Sequence, residues 1–310
     1  MTYKRRCLIL GGGGFIGSSV ADRLLEDGYS LRIFEMEGVV PYRNFDRSES
    51  VEWIAGDFQN KSDLIHALEG VDSVVHLIST LLPKASNNMP IFDIQTNVVA
   101  TIGLLDAMVE KGVQKIVFSS SGGTVYGMPK MLPITEEHPT QPEVSYGICK
   151  LMIEKYLYLY SRLYQIKPVV LRISNPYGNR QRTNRAQGAV AVFLNKALNS
   201  MPIEIWGDGR IIRDYLHISD VSSAFSRALA YNGDSMVFNI GSGCGISLNE
   251  LIQAIESVIG RTSEKRYLAG RSFDVPTNIL DNSLAHRELQ WNPQISLREG
   301  LRMVLDSMTM

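Results

Sequence analysis

The stretch Leu8-Ile9-Leu10-Gly11-Gly12-Gly13-Gly14-Phe15-Ile16-Gly17 decides the fold of this 310-residue chain. A short apolar strand runs directly into four glycines, and a helix pattern follows over residues 15–27. Glycines let the backbone turn tightly and approach a pyrophosphate, whose negative charge is favoured at the N-terminus of a helix. The spacing Gly-x-x-Gly-x-x-Gly between a strand and a helix therefore predicts dinucleotide binding. A tight strand-to-helix turn is the alternative explanation for the same glycines.

Strand and helix patterns alternate through the first half of the chain. Strands are predicted over residues 7–10, 31–34, 51–55, 71–78, 114–119 and 168–173, and helices over 15–27, 61–68, 91–111 and 146–164. Strands that are apolar on both faces are typical of a parallel sheet covered by helices. The pattern predicts an α/β fold, with a Rossmann-type doubly wound parallel sheet in residues 1–174. A smaller α/β substrate-binding lobe is expected over residues 175–310, with strands crossing back to the first.

An acidic residue at the end of the second predicted strand bears on the choice of dinucleotide. Glu35 lies 21 residues beyond Gly14. A carboxylate there bonds the two adenosine ribose hydroxyls and repels a 2′-phosphate, which favours NAD over NADP. Arg32, Arg43 and Arg47 are near in sequence and would weaken this preference if they faced the ribose.

The composition argues against several classes of protein. A net charge of −1 gives no general attraction to nucleic acid or to a membrane surface. No apolar stretch approaches the ~20 residues that a membrane helix needs, and the first apolar run is too short for a secretion signal. The three cysteines are scattered, which is typical of reduced thiols in the cytoplasm. The five histidines show no ligand spacing with these cysteines, so no metal site is expected.

A second chemical signal is the stretch Ser145-Tyr146-Gly147-Ile148-Cys149-Lys150, which opens a predicted helix. Residues four apart on a helix are neighbours. An ammonium beside a phenol favours the phenolate, so the pKa of Tyr146 is expected to fall toward the range of a general base or acid. A second Tyr-x-x-x-Lys match, at residues 126–130, contains Pro129 and is not expected to form a helix. An ordinary amphipathic helix is the alternative for the first match.

Together these segments resemble the extended short-chain dehydrogenase/reductase family, and within it the nucleotide-sugar epimerases and dehydratases, over essentially the whole chain. Three further segments match signatures of that family, namely LRISNPYG at 171–178, GDGRIIRDYLH at 207–217 and RSFD at 271–274. The resemblance implies a cytoplasmic enzyme of polysaccharide biosynthesis that uses NAD. It also implies a homodimer, formed through the helices 91–111 and 146–164, although the apolar residues of these helices could equally be covered by the chain's own core.

The resemblance also implies which residues bind the cofactor and the substrate. The expected cofactor-binding residues are Gly11, Gly14, Phe15, Ile16, Gly17, Glu35, Asp57, Phe58, Leu77, Asn97, Ser119, Tyr146 and Lys150. The expected substrate-binding residues are Lys84, Asn175, Arg213, Arg271, Asp274 and Asn278. Guanidinium groups suit diphosphate oxygens, and a carboxylate suits a ribose diol. Asp57 has an alternative role as a cap for the helix or turn near residue 61.

The segment FSSSGGTVYG at 118–127 bears on the reaction. In the resembling family, dehydratases and decarboxylases carry acidic residues here, and this chain has none. Elimination is therefore disfavoured, and reversible hydride transfer at one carbon is expected. The position of the family's catalytic Ser or Thr falls on Gly122, so Ser121 or Thr124 is expected to assist Tyr146 and Lys150. The alternative role of both hydroxyls is hydrogen bonding at the end of the strand.

The expected function is that of an NAD-dependent nucleotide-sugar 4-epimerase acting through a transient 4-keto sugar. UDP-GlcNAc/UDP-GalNAc, UDP-Glc/UDP-Gal or both pairs are the expected substrates, because the small side chain of Asn278 occupies the position that gates the space around the 2-substituent in the resembling epimerases. That residue could instead cap the turn after Pro276. A 4-ketosugar reductase and a non-catalytic nucleotide-sensing relative are the alternatives, and the nucleotide, the sugar and a lipid-linked substrate are left open.

Overall fold

A parallel sheet lies at the centre of the computed structural model, which describes residues 4–81, 83–182, 188–270 and 275–309, without the side chains of 83 and 84. The strands are β1 (Arg6–Leu10), β2 (Ser30–Glu35), β3 (Val51–Ala55), β4 (Ser73–His76), β5 (Lys115–Ser121), β6 (Lys167–Ile173), β7 (Asn175–Tyr177), β8 (Ile203–Trp206), β9 (Ile212–His217), β10 (Val237–Ile240), β11 (Gly245–Ser247), β12 (Lys265–Leu268) and β13 (Thr277–Asn278). Seven of them form this sheet in the order β10-β6-β5-β4-β1-β2-β3, with parallel pairing throughout.

Helices cover both faces of the sheet. They are α1 (Phe15–Glu26), α2 (Lys61–Ala67), α3 (Pro83–Ser86), α4 (Pro90–Asp93), α5 (Ala100–Lys111), α6 (Ser145–Tyr164), α7 (Ala189–Leu198), α8 (Ile218–Ala230), α9 (Leu248–Ile259), α10 (Ser283–Leu289) and α11 (Leu297–Thr309). One buried apolar cluster joins α1, α8 and α10 to one face, and a second joins α2, α5 and α6 to the other. This arrangement confirms the predicted doubly wound α/β fold.

Smaller sheets extend the second half of the chain. Strand β9 pairs in parallel with β7 and β13 and antiparallel with β11, while β8 pairs with β12. A third apolar cluster, with contributions from α7, α9 and α11, packs beneath them. Strand β10 leaves this half and pairs with β6, so it completes one edge of the large sheet.

The helix predicted over residues 91–111 differs from the prediction in two ways. It begins at Pro90, and a π-helical segment, Ile94–Val99, separates α4 from α5. The continuous run Pro90–Lys111 is also long and apolar enough to cross a membrane by length and composition, which the sequence analysis did not expect. Because 56% of its most apolar window is buried inside the protein, it resembles a core helix, which passes the same test.

Candidate active site

The glycine loop joins the end of β1 to the start of α1. Gly11 has a φ of +83°, which favours glycine, and its amide donates to the Phe34 carbonyl at 3.1 Å. A side chain at Gly17 would collide with the Gly11 carbonyl, so this residue lets α1 pack directly on the loop. At Gly14 an added Cβ would meet only the Gly11 carbonyl, at 3.5 Å, within the described residues. The loop therefore forms an open cradle at a helix N-terminus, which fits the pyrophosphate of a dinucleotide.

Glu35 ends β2 beside this cradle. Its Oε1 accepts a hydrogen bond from the Gly13 amide at 2.8 Å, and burial raises the pKa of its carboxyl group. Two of the three arginines that could have favoured a 2′-phosphate are engaged elsewhere, and Arg47 is exposed. Arg32 is buried and bonds Glu52, whereas Arg43 pairs with Asp22 and Glu49. Glu35 therefore places a negative charge directly beside the glycine cradle, which fits NAD.

The predicted pair Tyr146 and Lys150 lies on the first turns of α6, at the carboxyl ends of β4 and β5. The Lys150 ammonium donates to the Ser119 carbonyl at 2.8 Å. Its Nζ lies 4.8 Å from the ring centroid of Phe118 and 5.6 Å from that of Tyr146. The Tyr146 side chain is hydrogen-bonded to the hydroxyl of Ser79. The helix thus holds the phenol and the ammonium together as predicted.

Burial changes the ionisation expected for this pair. It raises the pKa of Tyr146 to about 12, and the negative charge of Asp93 acts in the same direction, while the Ser79 hydrogen bond opposes it. The prediction that the pKa of Tyr146 falls is therefore wrong when only the protein's own groups act on it. Desolvation disfavours the phenolate more strongly than the neighbouring groups stabilise it. Burial likewise lowers the pKa of Lys150 to about 8, opposed by the negative charges around it.

The two hydroxyls expected to assist the pair, Ser121 and Thr124, lie at the end of β5 and in the turn after it. A Cβ at Gly122 would lie 2.5 Å from Leu280 Cδ1, so no hydroxyl-bearing side chain fits there without displacing the core. The Thr124 Oγ1 is buried and has no hydrogen-bond partner among the described residues. A Cβ at Gly147, in the first turn of α6, would lie 2.6 Å from the Thr124 carbonyl. The turn that carries Ser121 and Thr124 therefore packs directly against the start of the catalytic helix.

Other predicted cofactor residues lie at the same edge of the sheet. Asn97, in the π-helical segment, accepts from the Thr80 amide at 3.1 Å and is almost fully buried. The side chain of Phe58 packs in the core against His76, with ring centroids 5.1 Å apart. Asp57 is exposed, and its Oδ1 accepts from the Gln59 amide at 2.9 Å. The helix cap near residue 61 is Asn60 instead, whose side chain accepts from the Ser62 amide.

Three predicted substrate residues meet on the small sheet around β9. Asn175 donates to the Asp214 carbonyl at 3.1 Å, and Arg213 donates to the Val275 carbonyl at 2.7 Å. Asn278 is paired with Arg213 between β13 and β9, and its Nδ2 donates to the Gly122 carbonyl at 3.0 Å. This bond joins the small sheet around β9 to the turn that follows Ser121 and contains Thr124. Arg271, Asp274 and the side chain of Lys84 lie outside the described residues.

Comparison with known proteins decides the family. A family model described as the NAD dependent epimerase/dehydratase family matches residues 7–241. The chain belongs to this family. NAD is its cofactor, and the glycine cradle and Glu35 described above fit that group.

Members of the epimerase/dehydratase family with different activities are similar to the whole chain. A UDP-glucose 4-epimerase from Thermotoga maritima, solved with UDP-glucose, has a TM-score of 0.93 and 34% identity, with 98% of each chain covered. A UDP-N-acetylglucosamine 4-epimerase from Methanobrevibacter ruminantium, in complex with UDP-N-acetylmuramic acid, has a TM-score of 0.93 and 26% identity, with 99% of each chain covered. A dTDP-4-dehydro-6-deoxyglucose reductase from Escherichia coli is 36% identical over 314 residues, with 98% of each chain covered.

Five residues that were not predicted from the sequence also lie at the site. They are Ser79, Ser86, Asn87, Asp93 and Glu154. Ser86 and Asn87 accept hydrogen bonds from the first two amides of α6, at 3.0 and 2.8 Å, and so fix where the catalytic helix begins. Glu154, four residues after Lys150, was the one with a local signal, because helical spacing places it on the face of the catalytic pair.

Proposed function

We propose that this chain is an NAD-dependent 4-epimerase of a UDP sugar that acts through a transient 4-keto sugar. The observation that carries the proposal is the pair of half-buried Tyr146 and buried Lys150, packed against the segment 118–127, which carries two hydroxyls and contains no acidic residue. Such a set can move a proton at one carbon but has no second acid for elimination of water. A trial of UDP-, GDP- and dTDP-sugars without added cofactor, with products identified by NMR, tests this directly. A product other than the 4-epimer, or no product with any sugar, would refute it.

Tyr146 is the base that takes the proton of the 4-hydroxyl group and later returns it. Lys150, with a pKa of about 8, is mainly charged at neutral pH and stabilises the phenolate, and Ser79 favours the same form by its hydrogen bond. Ser121 or Thr124 bonds the oxygen at C4 and orients it toward Tyr146. NAD, which the glycine loop and Glu35 would hold, would supply a group able to accept hydride from C4 and return it, so no second substrate would be consumed. Comparing Ser121→Ala with Thr124→Val identifies the assisting hydroxyl, because its loss lowers kcat more.

We assign nucleotide binding to residues of the small sheet around β9. Asn175 lies on β7 and Arg213 on the adjacent β9, and the family resemblance adds Arg271 and Asp274 for the diphosphate and the ribose. Firm contacts to these remote groups position the reacting carbon while the sugar itself turns over. Uridine is favoured because the two similar epimerases are named for UDP sugars.

We assign the acetylated pair UDP-GlcNAc/UDP-GalNAc as substrates, alongside or in place of UDP-Glc/UDP-Gal. Asn278 supports this choice, because its side chain is much smaller than a tyrosine and its Oδ1 has no partner among the described residues. That free acceptor lies next to the turn of the catalytic hydroxyls. It can take a hydrogen bond from a polar group of a sugar substituent.

A nucleotide 4-ketosugar reductase is the second candidate, because the E. coli reductase is as similar to this chain as an epimerase. The two reactions use the same proton-transfer residues but differ in whether the cofactor is consumed. A reductase consumes a reduced cofactor in each turnover, whereas an epimerase retains its own. Turnover by dialysed protein without added NADPH or NADH supports the epimerase, and strict dependence on added reduced cofactor supports the reductase.

We further propose a homodimer built on the run 90–111 and on α6. Exposed apolar side chains of these helices include Ile91, Phe92, Val99, Ile148, Leu159 and Leu163. The chain's own core covers other apolar residues of these helices, such as Leu104 and Leu157, and leaves these six side chains exposed. A four-helix contact between two copies would bury them. Sedimentation velocity at micromolar concentration tests this, and a monomer would refute it.

A further inference from the structure

A buried carboxylate lies behind the catalytic pair. Asp93 ends α4 and is only 1% exposed. Its Oδ1 accepts a hydrogen bond from Asn97 Nδ2 at 2.8 Å, and its Oδ2 accepts from Ser145 Oγ at 3.1 Å. Asp93 therefore ties a predicted cofactor residue to the residue that begins the catalytic helix.

Asp93 borders the same tightly packed pocket as the catalytic groups. The pocket is too small to hold a water molecule and is lined by Ser79, Asn97, Tyr146, Cys149, Lys150 and Ile153, together with Asp93. A buried carboxylate is strongly destabilising unless a cation or hydrogen-bond donors compensate it. The two hydrogen-bond donors compensate the Asp93 carboxylate, and Lys150 supplies a cation on the same pocket wall. The carboxylate and the ammonium are not in direct contact, so they act on each other across this low-dielectric site.

The π-helical segment explains how this contact arises. A π-helical turn inserts one extra residue into a helix, and such turns are frequent at functional sites. Here the segment starts directly after Asp93, and Asn97 Nδ2 donates both to the Asp93 side chain and to its carbonyl, the latter at 2.9 Å. The helix thus carries the carboxylate and the amide on the side that faces α6.

We propose that Asp93 is a positioning residue of the Tyr146–Lys150 pair, whose carboxylate is the countercharge of Lys150 and anchors the start of α6 to Asn97. This inference rests on the proposed epimerase mechanism, in which Lys150 is charged and Tyr146 accepts a proton. It assigns Asp93 an electrostatic role in addition to a structural one.

The charge of Asp93 acts on both members of the pair in a defined direction. It favours the ammonium of Lys150 and opposes the phenolate of Tyr146. The other groups that face Lys150 are Glu154 and Cys149 on α6 and His76 on β4. The charge of Glu154 also favours the ammonium, whereas burial raises the pKa of the Cys149 thiol to about 12 and keeps it neutral. Burial and the charge of Lys150 lower the pKa of His76 to about 3, so this imidazole is neutral at working pH.

Asp93→Asn separates charge from geometry. The amide oxygen can still accept from Asn97, and the amide nitrogen can donate to Ser145 Oγ, so both contacts persist without the negative charge. Removing that charge lowers the pKa of Lys150, whose deprotonation limits activity at high pH. It also lowers the pKa of Tyr146, whose protonation limits activity at low pH. Both limbs of the kcat profile should therefore move to lower pH, by about one pH unit or more.

A lysine titration by NMR gives a readout that needs no turnover. In holoenzyme labelled with ¹³C-lysine, the ε-carbon signal of Lys150 is assigned by its loss in Lys150→Arg. Its apparent pKa should be lower in Asp93→Asn than in the wild type. Asp234→Asn, which removes a charge from an exposed loop, is the matched control and should change neither the titration nor the kcat profile.

Two results would overturn the inference. One is an unchanged Lys150 titration in Asp93→Asn, with kcat lowered equally at every pH, which is the signature of a merely structural residue. The other result concerns Asp93→Glu, which keeps the charge and is used if the Asn variant does not fold. A lower apparent pKa of Lys150 in Asp93→Glu than in the wild type would contradict the proposal. If the wild type converts no sugar, the proposed function fails, and the NMR titration still decides the role of Asp93.

Discussion

The carboxylate of Glu154 and the guanidinium of Arg172 form an ion pair at 2.6 Å, with both side chains at most 5% exposed. Glu154 also accepts from the Ser120 hydroxyl, and Arg172 donates to the Tyr126 hydroxyl at 2.9 Å. Through these contacts, helix α6 is held to β5, to β6 and to the turn after β5. Because Lys150 precedes Glu154 by one helical turn, the pair fixes the catalytic helix against the sheet.

Removing one partner of this ion pair should strongly destabilise the protein. Glu154→Ala leaves the Arg172 guanidinium buried without its countercharge, which lowers the free energy of unfolding by about 3–5 kcal/mol. The measurement is urea unfolding at a fixed NAD concentration, since bound cofactor contributes to stability. Glu204→Ala, which breaks the exposed pair with Lys196, is the control and should change stability by less than about 1 kcal/mol. Similar losses in both variants would contradict the assignment.

Tyr146→Phe should fold, retain NAD and lose turnover by ~10²–10⁴-fold, because it removes the general base. Tyr126→Phe is the matched control, since Tyr126 also belongs to a Tyr-x-x-x-Lys match. Its hydroxyl donates to Asn239 and accepts from Arg172, so this variant should lose about 1–3 kcal/mol of stability and keep its chemistry. Steady-state measurement of kcat in both variants tests whether Tyr146 is the general base. Near-wild-type kcat in Tyr146→Phe would rule out the mechanism.

Glu35→Ala should narrow the preference for NAD over NADP. The change removes both the charge that repels a 2′-phosphate and the acceptor of the Gly13 amide. Competitive binding of the two cofactors to the protein measures the ratio. Glu37→Ala removes an exposed charge two residues further on and should leave the ratio unchanged. Purification of the wild type with mostly NADP bound would disprove the assignment.

Asn278→Tyr should exclude the acetylated UDP sugars by bulk while sparing the unacetylated pair. Because Asn278 is 2% exposed and donates to Gly122, the variant also loses a buried hydrogen bond. Asn278→Leu separates the two effects, since it loses the same bond and adds little volume. The ratio of kcat/KM between the acetylated and unacetylated pairs should change only in the Tyr variant. An equal ratio in all three proteins would place the gate elsewhere.

Features that depend on near neighbours in the chain were predictable from the sequence. The glycine loop lies between a strand and a helix that are each short-range structures, and the spacing of Tyr146 and Lys150 follows from the helical repeat. The parallel, doubly wound class followed from strands apolar on both faces. The strand predicted over 71–78 is shorter than expected, since β4 covers only Ser73–His76.

Tertiary structure decided the features that depend on contacts between distant segments. Strand β10 reaches β6 across more than sixty residues, and Glu154 meets Arg172 only once α6 lies on the sheet. The position expected to carry the assisting hydroxyl is Gly122, and only the folded chain shows that Leu280 fills the space where a side chain would lie. The ionisation of the catalytic pair belongs to this class as well. A sequence places an ammonium four residues from a phenol, but only the folded chain sets how much water both groups lose, and here that loss outweighs their attraction.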